Sequence, residues 1–277
     1  SLTQAVLRSA SQRFGTPLRH LRDLGPQHVH VLPPEEQYLV ETGRTYFRGL
    51  HFDQLARLTL DLETTGLDPR VDRVFLAAVR RPDGGTETLE AERIDDAGER
   101  ALILSLTARI RALDPDVIEN HNLHGFDVPF LVHRSAVLGI ALDFGRLSRR
   151  MPAERPSARG SVIMRDASDF ERRQRQRFTV PGRELIDTMD AVRRYEFATR
   201  ELPSMGLKAV ARHLGIAGPE RTHVPGARVF AVYQTDPARV RRYAVDDVVE
   251  AAGVSRMMGG ASFALASCSA VCPLAMS

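Results

Sequence analysis

Asp61 and Glu63 stand two apart in the run Leu58-Thr59-Leu60-Asp61-Leu62-Glu63. The strict alternation predicts a strand, and a period of two sets both carboxylates on the face opposite Leu60 and Leu62. Two carboxylates side by side repel unless a cation neutralises them. A donor set of oxygens alone favours Mg²⁺ or Mn²⁺ over zinc. An exposed polar strand face accounts for the same pattern equally well. In Tyr243-Ala244-Val245-Asp246-Asp247, Tyr243 and Asp247 are four apart and therefore neighbours on one helix face. They border an apolar stripe of Val240, Ala244, Val248 and Ala251; the pair strengthens the case for a site, and a cap on the edge of the core accounts for it as well. Asp246 is turned about 100° from Asp247 around the helix and reads as solvent-facing. The third group lies within residues 120–130, where Asp127 follows Phe126, a ring able to stack on a base, and Asn122, an amide able to donate to a phosphate or sugar.

These residues need a scaffold, and the flanking pattern supplies one. Residues 58–63, 74–80 and 86–93 read as three strands of a meander, the last two joined by the turn signal Pro82-Asp83-Gly84-Gly85. Residues 95–115 form an amphipathic helix, with Leu102, Leu106, Ile110 and Leu113 along one stripe. A fourth strand at 116–120, parallel to the first, leads to a second helix over 127–138. Residues 178–188 read as extended chain broken by Pro181-Gly182, followed by helices over 189–198 and 204–214. Asp236-Pro237 starts the last long helix, a capping residue with proline at the first helical position. The sum is an α/β layer, a central mixed sheet flanked by helices. Ahead of it, residues 1–50 form an extension with a short strand at 28–32 and a short helix over 35–42 stopped by Gly43. The main domain is expected over 51–266 and a tail over 267–277.

The chain has 277 residues, 43% apolar and 26% charged, which suits a folded domain and excludes a disordered one. One lysine, Lys208, stands against 37 arginines of the 38 basic residues, a preference that GC-rich codons explain. Eleven arginines and four acids lie between Arg146 and Arg183, a local balance of +7 that leaves −4 for the rest of a chain of net charge +3. Such a basic stripe beside an acidic body suits a polyanionic ligand, and a solvated loop accounts for it as well. The two cysteines, Cys268 and Cys272, form no zinc framework. His121 and His124 invite a zinc reading but lack a cysteine partner, and the oxygen cluster accounts better for the site; His213 reads as a surface or core-edge residue. No charged-then-apolar signal segment opens the sequence, and the uncharged end from Gly259 to Ser277 reads as a packed or frayed tail rather than an anchor, so a cytoplasmic protein without a membrane is expected.

Taken together the three groups resemble the proofreading exonucleases of family B DNA polymerases, within the DEDD superfamily. The D-x-E motif is Asp61-Leu62-Glu63, followed by Thr64-Thr65-Gly66; N-x₃-F-D is Asn122, Phe126 and Asp127; Y-x₃-D is Tyr243 and Asp247. Order and spacing agree over roughly Leu50 to Ala266. Arg242 occupies the place of the histidine that marks the other branch of the superfamily. The resemblance implies a ribonuclease H-like fold. Leu207 and Val210 match a family segment that touches single-stranded DNA, with Gly206 in the place of its usual serine. The arginine-rich stretch falls where these polymerases carry a β-hairpin that separates primer from template. Only 30 residues follow Asp247, so the expectation is an exonuclease part without palm, fingers or thumb.

The activity so implied is 3′→5′ hydrolysis of single-stranded or frayed DNA ends to nucleoside 5′-monophosphates, with two Mg²⁺ or Mn²⁺ ions. Asp61, Glu63, Asp127 and Asp247 are the implied ligands, with Asp61 bridging and Asp127 acting partly through water. Tyr243 is the implied orienting group for the attacking water, and Thr64, Asn122, Phe126 and Leu207 the substrate contacts. RNA trimming by the same chemistry, and a non-catalytic nucleic-acid-binding module, are the rival expectations. A polymerase is the protein partner that fits.

Overall fold

The structure, a computed structural model, describes residues 2–24, 34–146, 163–165, 177–218 and 220–267. The strand expected at 28–32, most of the arginine-rich stretch and the end carrying Cys268 and Cys272 lie outside the described residues. The contacts divide the chain into two units, Ser1–Leu50 with Ser262–Ser277, and His51–Ala261. In the first, α1 (Leu2–Phe14) and α2 (Pro34–Thr42) are helical. Proline opens α2, where its missing N–H costs nothing, and Gly43 follows the helix at φ +64°. Phe47 and Phe263 stack within this unit, ring centres 4.5 Å apart.

The second unit is built on a five-stranded sheet. Its strands are β1 (Arg57–Thr64), β2 (Val74–Arg80), β3 (Thr86–Glu90), β4 (Val117–Asn120) and, after a small separate pair of β5 (Ile163–Arg165) and β6 (Arg177–Thr179), β7 (Glu184–Asp187). The order across the sheet is β3-β2-β1-β4-β7. β1, β2 and β3 pair antiparallel, whereas β4 runs parallel to β1 and to β7. The helices are α3 (Asp96–Leu113), α4 (Asp127–Val137), α5 (Thr188–Thr199), α6 (Leu207–His213), α7 (Val229–Thr235) and α8 (Pro237–Ser267).

Both faces of the sheet are covered, as parallel crossovers require. Leu58, Leu60 and Leu62 lie in one core with Leu102, Ile103, Leu106 and Ile110 of α3 and Val128 and Leu131 of α4. Phe75, Leu76 and Ala78 pack the other way, against Val229 of α7 and Val240, Ala244 and Val248 of α8. α3 is bounded as capping rules require: the Asp95 carboxylate accepts from the Gly98 N–H at 2.8 Å, and Asp114 follows the helix in the left-handed region. A buried ion pair ties α3 to α4, with the Arg134 guanidinium on both oxygens of Glu99 at 2.6–3.1 Å. Its other partners are the Val74 N–H, which donates to Glu99, and the Pro69 carbonyl, which accepts from Arg134.

Several elements differ from the sequence expectation, among them α1 (Leu2–Phe14), a helix that was not expected. β3 ends at Glu90 rather than continuing to 93, because the chain turns there toward the α3 cap. Residues 184–187, read only as extended chain, are the fifth strand, in register with β4. α7 was not expected; its apolar side closes on Phe75, whose ring lies 5.3 Å from Phe230 and 4.5 Å from Tyr233.

Candidate active site

β1 delivers Asp61 and Glu63 from the centre of the sheet, and a β-bulge at Glu63/Thr64 marks where its pairing with β2 becomes irregular. Bulges of this kind re-aim side chains next to functional sites. The turn that follows is tightly bonded. Thr64 Oγ1 donates to the Gly66 carbonyl at 2.6 Å, Thr65 Oγ1 donates to Asp72, and Asp72 also accepts from the Asp68 N–H. A Cβ on Gly66 would fall 2.4 Å from the Asp72 carboxylate, so any side chain there would displace it from its bonds to Thr65 and Asp68.

α8 brings Tyr243 and Asp247 over the same end of the sheet. Asp61, Glu63 and Asp247 each offer an oxygen within 4.8 Å of the others. Asp127 joins them from the first turn of α4, where the positive end of the helix dipole favours a carboxylate. Asn120, the last residue of β4, links the two halves: its amide donates at 3.0 Å to both Asp61 Oδ1 and Asp127 Oδ2. Asp127 is 1% exposed, Glu63 8% and Asp247 7%. Buried Glu63 Oε1 and Asp127 Oδ1 have no hydrogen-bond partner.

Such crowding suppresses ionisation. Burial, then the Asp247 charge, pushes Asp61 up to about 7 from an ordinary 3.8. Burial and the neighbouring acids raise Glu63 and Asp127 well above the usual carboxylate range. Asp247 is also raised by burial, against the opposing pull of Lys208 and Arg221. An array of buried oxygens that resists carrying its own charge, with two of them unpartnered, fits a divalent cation held by oxygen donors.

Lys208, which codon preference alone was expected to explain, enters the site, and so does Arg221, which no motif marked. The Lys208 ammonium donates to the Tyr243 hydroxyl and lies 4.1 Å from its ring centre. Burial, followed by Asp247 and Glu63, drives the Tyr243 phenol far above its ordinary value, so it stays protonated. Its oxygen accepts from Lys208, and its own proton is directed toward the Asp247 carboxylate. Arg221 donates to both Asp247 and Glu250.

The loop that carries Asn122 and Phe126 is ordered by Asp187, at the end of β7. Its carboxylate accepts from the N–H groups of Asn122, His124 and Met189 at 2.8, 3.0 and 3.0 Å. Asn122 takes a left-handed backbone, φ +74°, and its carbonyl accepts from Gly125 and Phe126. Phe126, half-buried, lies 5.4 Å from Phe130. Leu207 opens α6, half-buried against Val192, Val210 and Val254, and Gly206 is the helix cap. Both His121 ring nitrogens are engaged, with Thr188 Oγ1 and the Met205 carbonyl at 2.9 Å each.

Two expectations need correction. Asp246 is not solvent-facing: it is half-buried and accepts from the Thr222 N–H at 2.8 Å, because the 220–224 segment covers that side of α8. Of the basic stripe, Arg146, Arg177 and Arg183 serve internal ion pairs instead. Arg146 bonds Asp114 and Asp116, Arg177 bonds Asp190, and buried Arg183 bonds Asp114 and the Phe144 carbonyl.

The RNase_H superfamily model matches residues 58–250, which hold every residue of this cluster. The chain belongs to the RNase H superfamily. It is 29% identical over 192 residues to DNA polymerase 2 of Aeropyrum pernix, covering 68% of this chain and 20% of that protein. To DNA polymerase 1 of Pyrococcus abyssi it is 27% identical over 227 residues, 78% of this chain and 26% of that protein. The family B DNA polymerase of Pyrobaculum calidifontis superposes with a TM-score of 0.63 at 29% identity, over 79% of this chain and 26% of that one. The chain thus spans about a fifth to a quarter of the length of these polymerases, to a part of which it is similar. An RNase H-like nuclease fold of this kind implies use of divalent metal. No helix among the described residues is long and apolar enough to cross a membrane.

Proposed function

We propose that this domain is a metal-dependent 3′→5′ exonuclease that removes nucleotides from single-stranded or frayed DNA ends. The observation that carries the reading is the gathering of Asp61, Glu63, Asp127 and Asp247, with buried oxygens of Glu63 and Asp127 unpartnered. These four residues would hold Mg²⁺ or Mn²⁺, which when bound supplies Lewis acidity to activate water and to neutralise charge on the leaving 3′ oxygen. Asn120 keeps Asp61 and Asp127 in fixed relation before any ligand arrives. Tyr243, its hydroxyl held by Lys208 and beside Asp247, is placed to orient the attacking water. Phe126 stacks on the terminal base, Asn122 and Thr64 stand near the sugar and phosphate, and Leu207 supports the neighbouring nucleotide. Stacking of this kind tolerates any base. A polymerase, the setting of the relatives, would supply frayed ends.

A ladder assay with strands labelled at the 5′ end tests this reading. Stepwise shortening from the 3′ end in Mg²⁺, lost with EDTA, is the expected result, with mismatched ends cut severalfold faster than matched ones. Opening a terminal pair costs on the order of 1–2 kcal/mol of stacking, which sets that preference. Release of the 5′ label as first product would overturn the direction. An RNA strand degraded faster than DNA would move the substrate assignment to RNA, and binding without cleavage would make this a binding module. Tyr243→Phe keeps all four carboxylates and removes only the orienting hydroxyl. Its cleavage rate should fall roughly ten- to a hundredfold, while calorimetry should find Mn²⁺ affinity unchanged; a marked loss of metal binding would refute the orienting role.

A further inference from the structure

Arg221 lies between α6 and α7 with 6% of its side chain exposed. Each of its three nitrogens donates toward the site or its margin. Nη2 donates to Asp247 Oδ1, Nε to Glu250 Oε1, and Nη1 to the Thr222 carbonyl at 2.8 Å. The Thr222 N–H in turn donates to Asp246. Glu250 sits three residues after Asp247 on α8, 3% exposed, and its Oε2 has no hydrogen-bond partner. It is not among the three acids whose oxygens converge.

A guanidinium buried beside acids is retained only when its donors are satisfied, and its planar fork fixes whatever carboxylate it meets. Here the fork is split between one acid of the metal cluster and one acid outside it. Glu250 and the Thr222 carbonyl hold Arg221 in place from behind, so it cannot swing toward solvent as a mobile finger would. Asp247 therefore has one oxygen bonded to Arg221 and its rotation restrained, while the same carboxylate offers an oxygen to the convergence with Asp61 and Glu63.

We propose that Arg221, anchored by Glu250, is a positioning residue that fixes Asp247 as a one-oxygen ligand of the metal site. This rests on the metal-dependent reading above. Two effects of losing Arg221 oppose each other. Removing a positive charge would tighten cation binding, whereas freeing a ligand from its outer partner typically weakens metal affinity 10- to 100-fold. The geometry favours the second, because the contact is directional and doubly anchored. Lysine cannot reproduce it, since one ammonium on a flexible stem has no fork to divide between Asp247 and Glu250.

The test is Mn²⁺ titration calorimetry on the whole chain, comparing wild type with Asp61→Asn, Arg221→Lys, Arg221→Gln and the double variant Arg221→Gln/Glu250→Gln. Arg221→Gln alone strands two buried carboxylates, so the double variant removes the cation together with one partner, and circular dichroism checks folding throughout. The expected result is Mn²⁺ affinity lowered about tenfold or more in Arg221→Lys and in the double variant alike. Wild-type affinity in Arg221→Lys, or tighter binding in the double variant, would reduce Arg221 to a simple charge and overturn the proposal. Absence of Mn²⁺ binding in wild type, or unchanged binding in Asp61→Asn, would instead sink the metal site on which it rests.

Discussion

Asp61→Asn should cut nuclease activity at least about a thousandfold, on the order of 4 kcal/mol of barrier, while leaving the fold intact. The substitution is nearly isosteric, and the amide oxygen of an asparagine can still accept from Asn120, which holds Asp61 Oδ1 at 3.0 Å. What disappears is the charge of the acid that lies between Asn120 on one side and the oxygens of Glu63 and Asp247 on the other. With that charge gone, the remaining acids cannot hold a divalent cation in the same place. In EDTA the same variant should melt at a higher temperature than wild type, because one of the repelling carboxylates has been neutralised. Mg²⁺-dependent nucleotide release and thermal melts check the two halves. A near wild-type rate would mean that the chemistry lies elsewhere.

Asp61, Glu63 and Asp247 were legible because each sits inside a short periodic motif. Asp61 and Glu63 alternate with leucines that reach the core, and Tyr243 and Asp247 repeat at helical spacing beside Ala244 and Val248. The groups that hold these acids in place were not legible, since their contacts span long stretches of chain. Asn120 acts across 59 residues on Asp61, Asp187 across 65 on the Asn122 N–H, and Arg221 across 26 on Asp247. No local pattern announces such pairings. Lys208 did carry a signal that composition alone misread. In a chain that otherwise uses arginine for every basic residue, a single lysine marks a place where a compact ammonium is needed. The Tyr243 hydroxyl and ring face supply that place.

The sheet itself was read nearly strand for strand, and its errors share one cause. β7 and α7 owe their form to what they pack against: β7 to its register with β4, α7 to the ring of Phe75. The described arginines of the stripe, Arg146, Arg177 and Arg183, differ in the same way. Arg183 looks like part of a basic stripe by count, but its guanidinium is buried against the Phe144 carbonyl and Asp114. Formal charge along the sequence overstates the field wherever acids from elsewhere neutralise it.

Without metal, the protein should lose stability as pH rises from about 5 to about 8, and Mg²⁺ should reverse that trend. The sign follows from the acids of the site. Asp61, Glu63, Asp127 and Asp247 all have folded-state values raised above the ordinary ones, Asp61 to about 7. A carboxyl of this kind favours the folded state while it is protonated. Its contribution is complete below its unfolded value near 4 and is lost as pH climbs through the folded value. Lys208 and Arg221 face these acids and offset part of the loss, as does the Asn120 amide. At the acid end the opposite case holds: Asp68, bonded to Arg70, is lowered to about 2, so its contribution fades only as pH falls from about 4 toward 2. The interval from 5 to 8 is thus governed by the raised acids, and the expected change is on the order of a few kcal/mol. A divalent cation binds the deprotonated site, so its stabilising effect should be small at pH 5 and large at pH 8. Thermal melts at both pH values, in EDTA and in Mg²⁺, provide the measurement. A metal-free melting temperature that rises across this interval, or an equal Mg²⁺ shift at both ends, would mean that these acids are not poised as the structure arranges them.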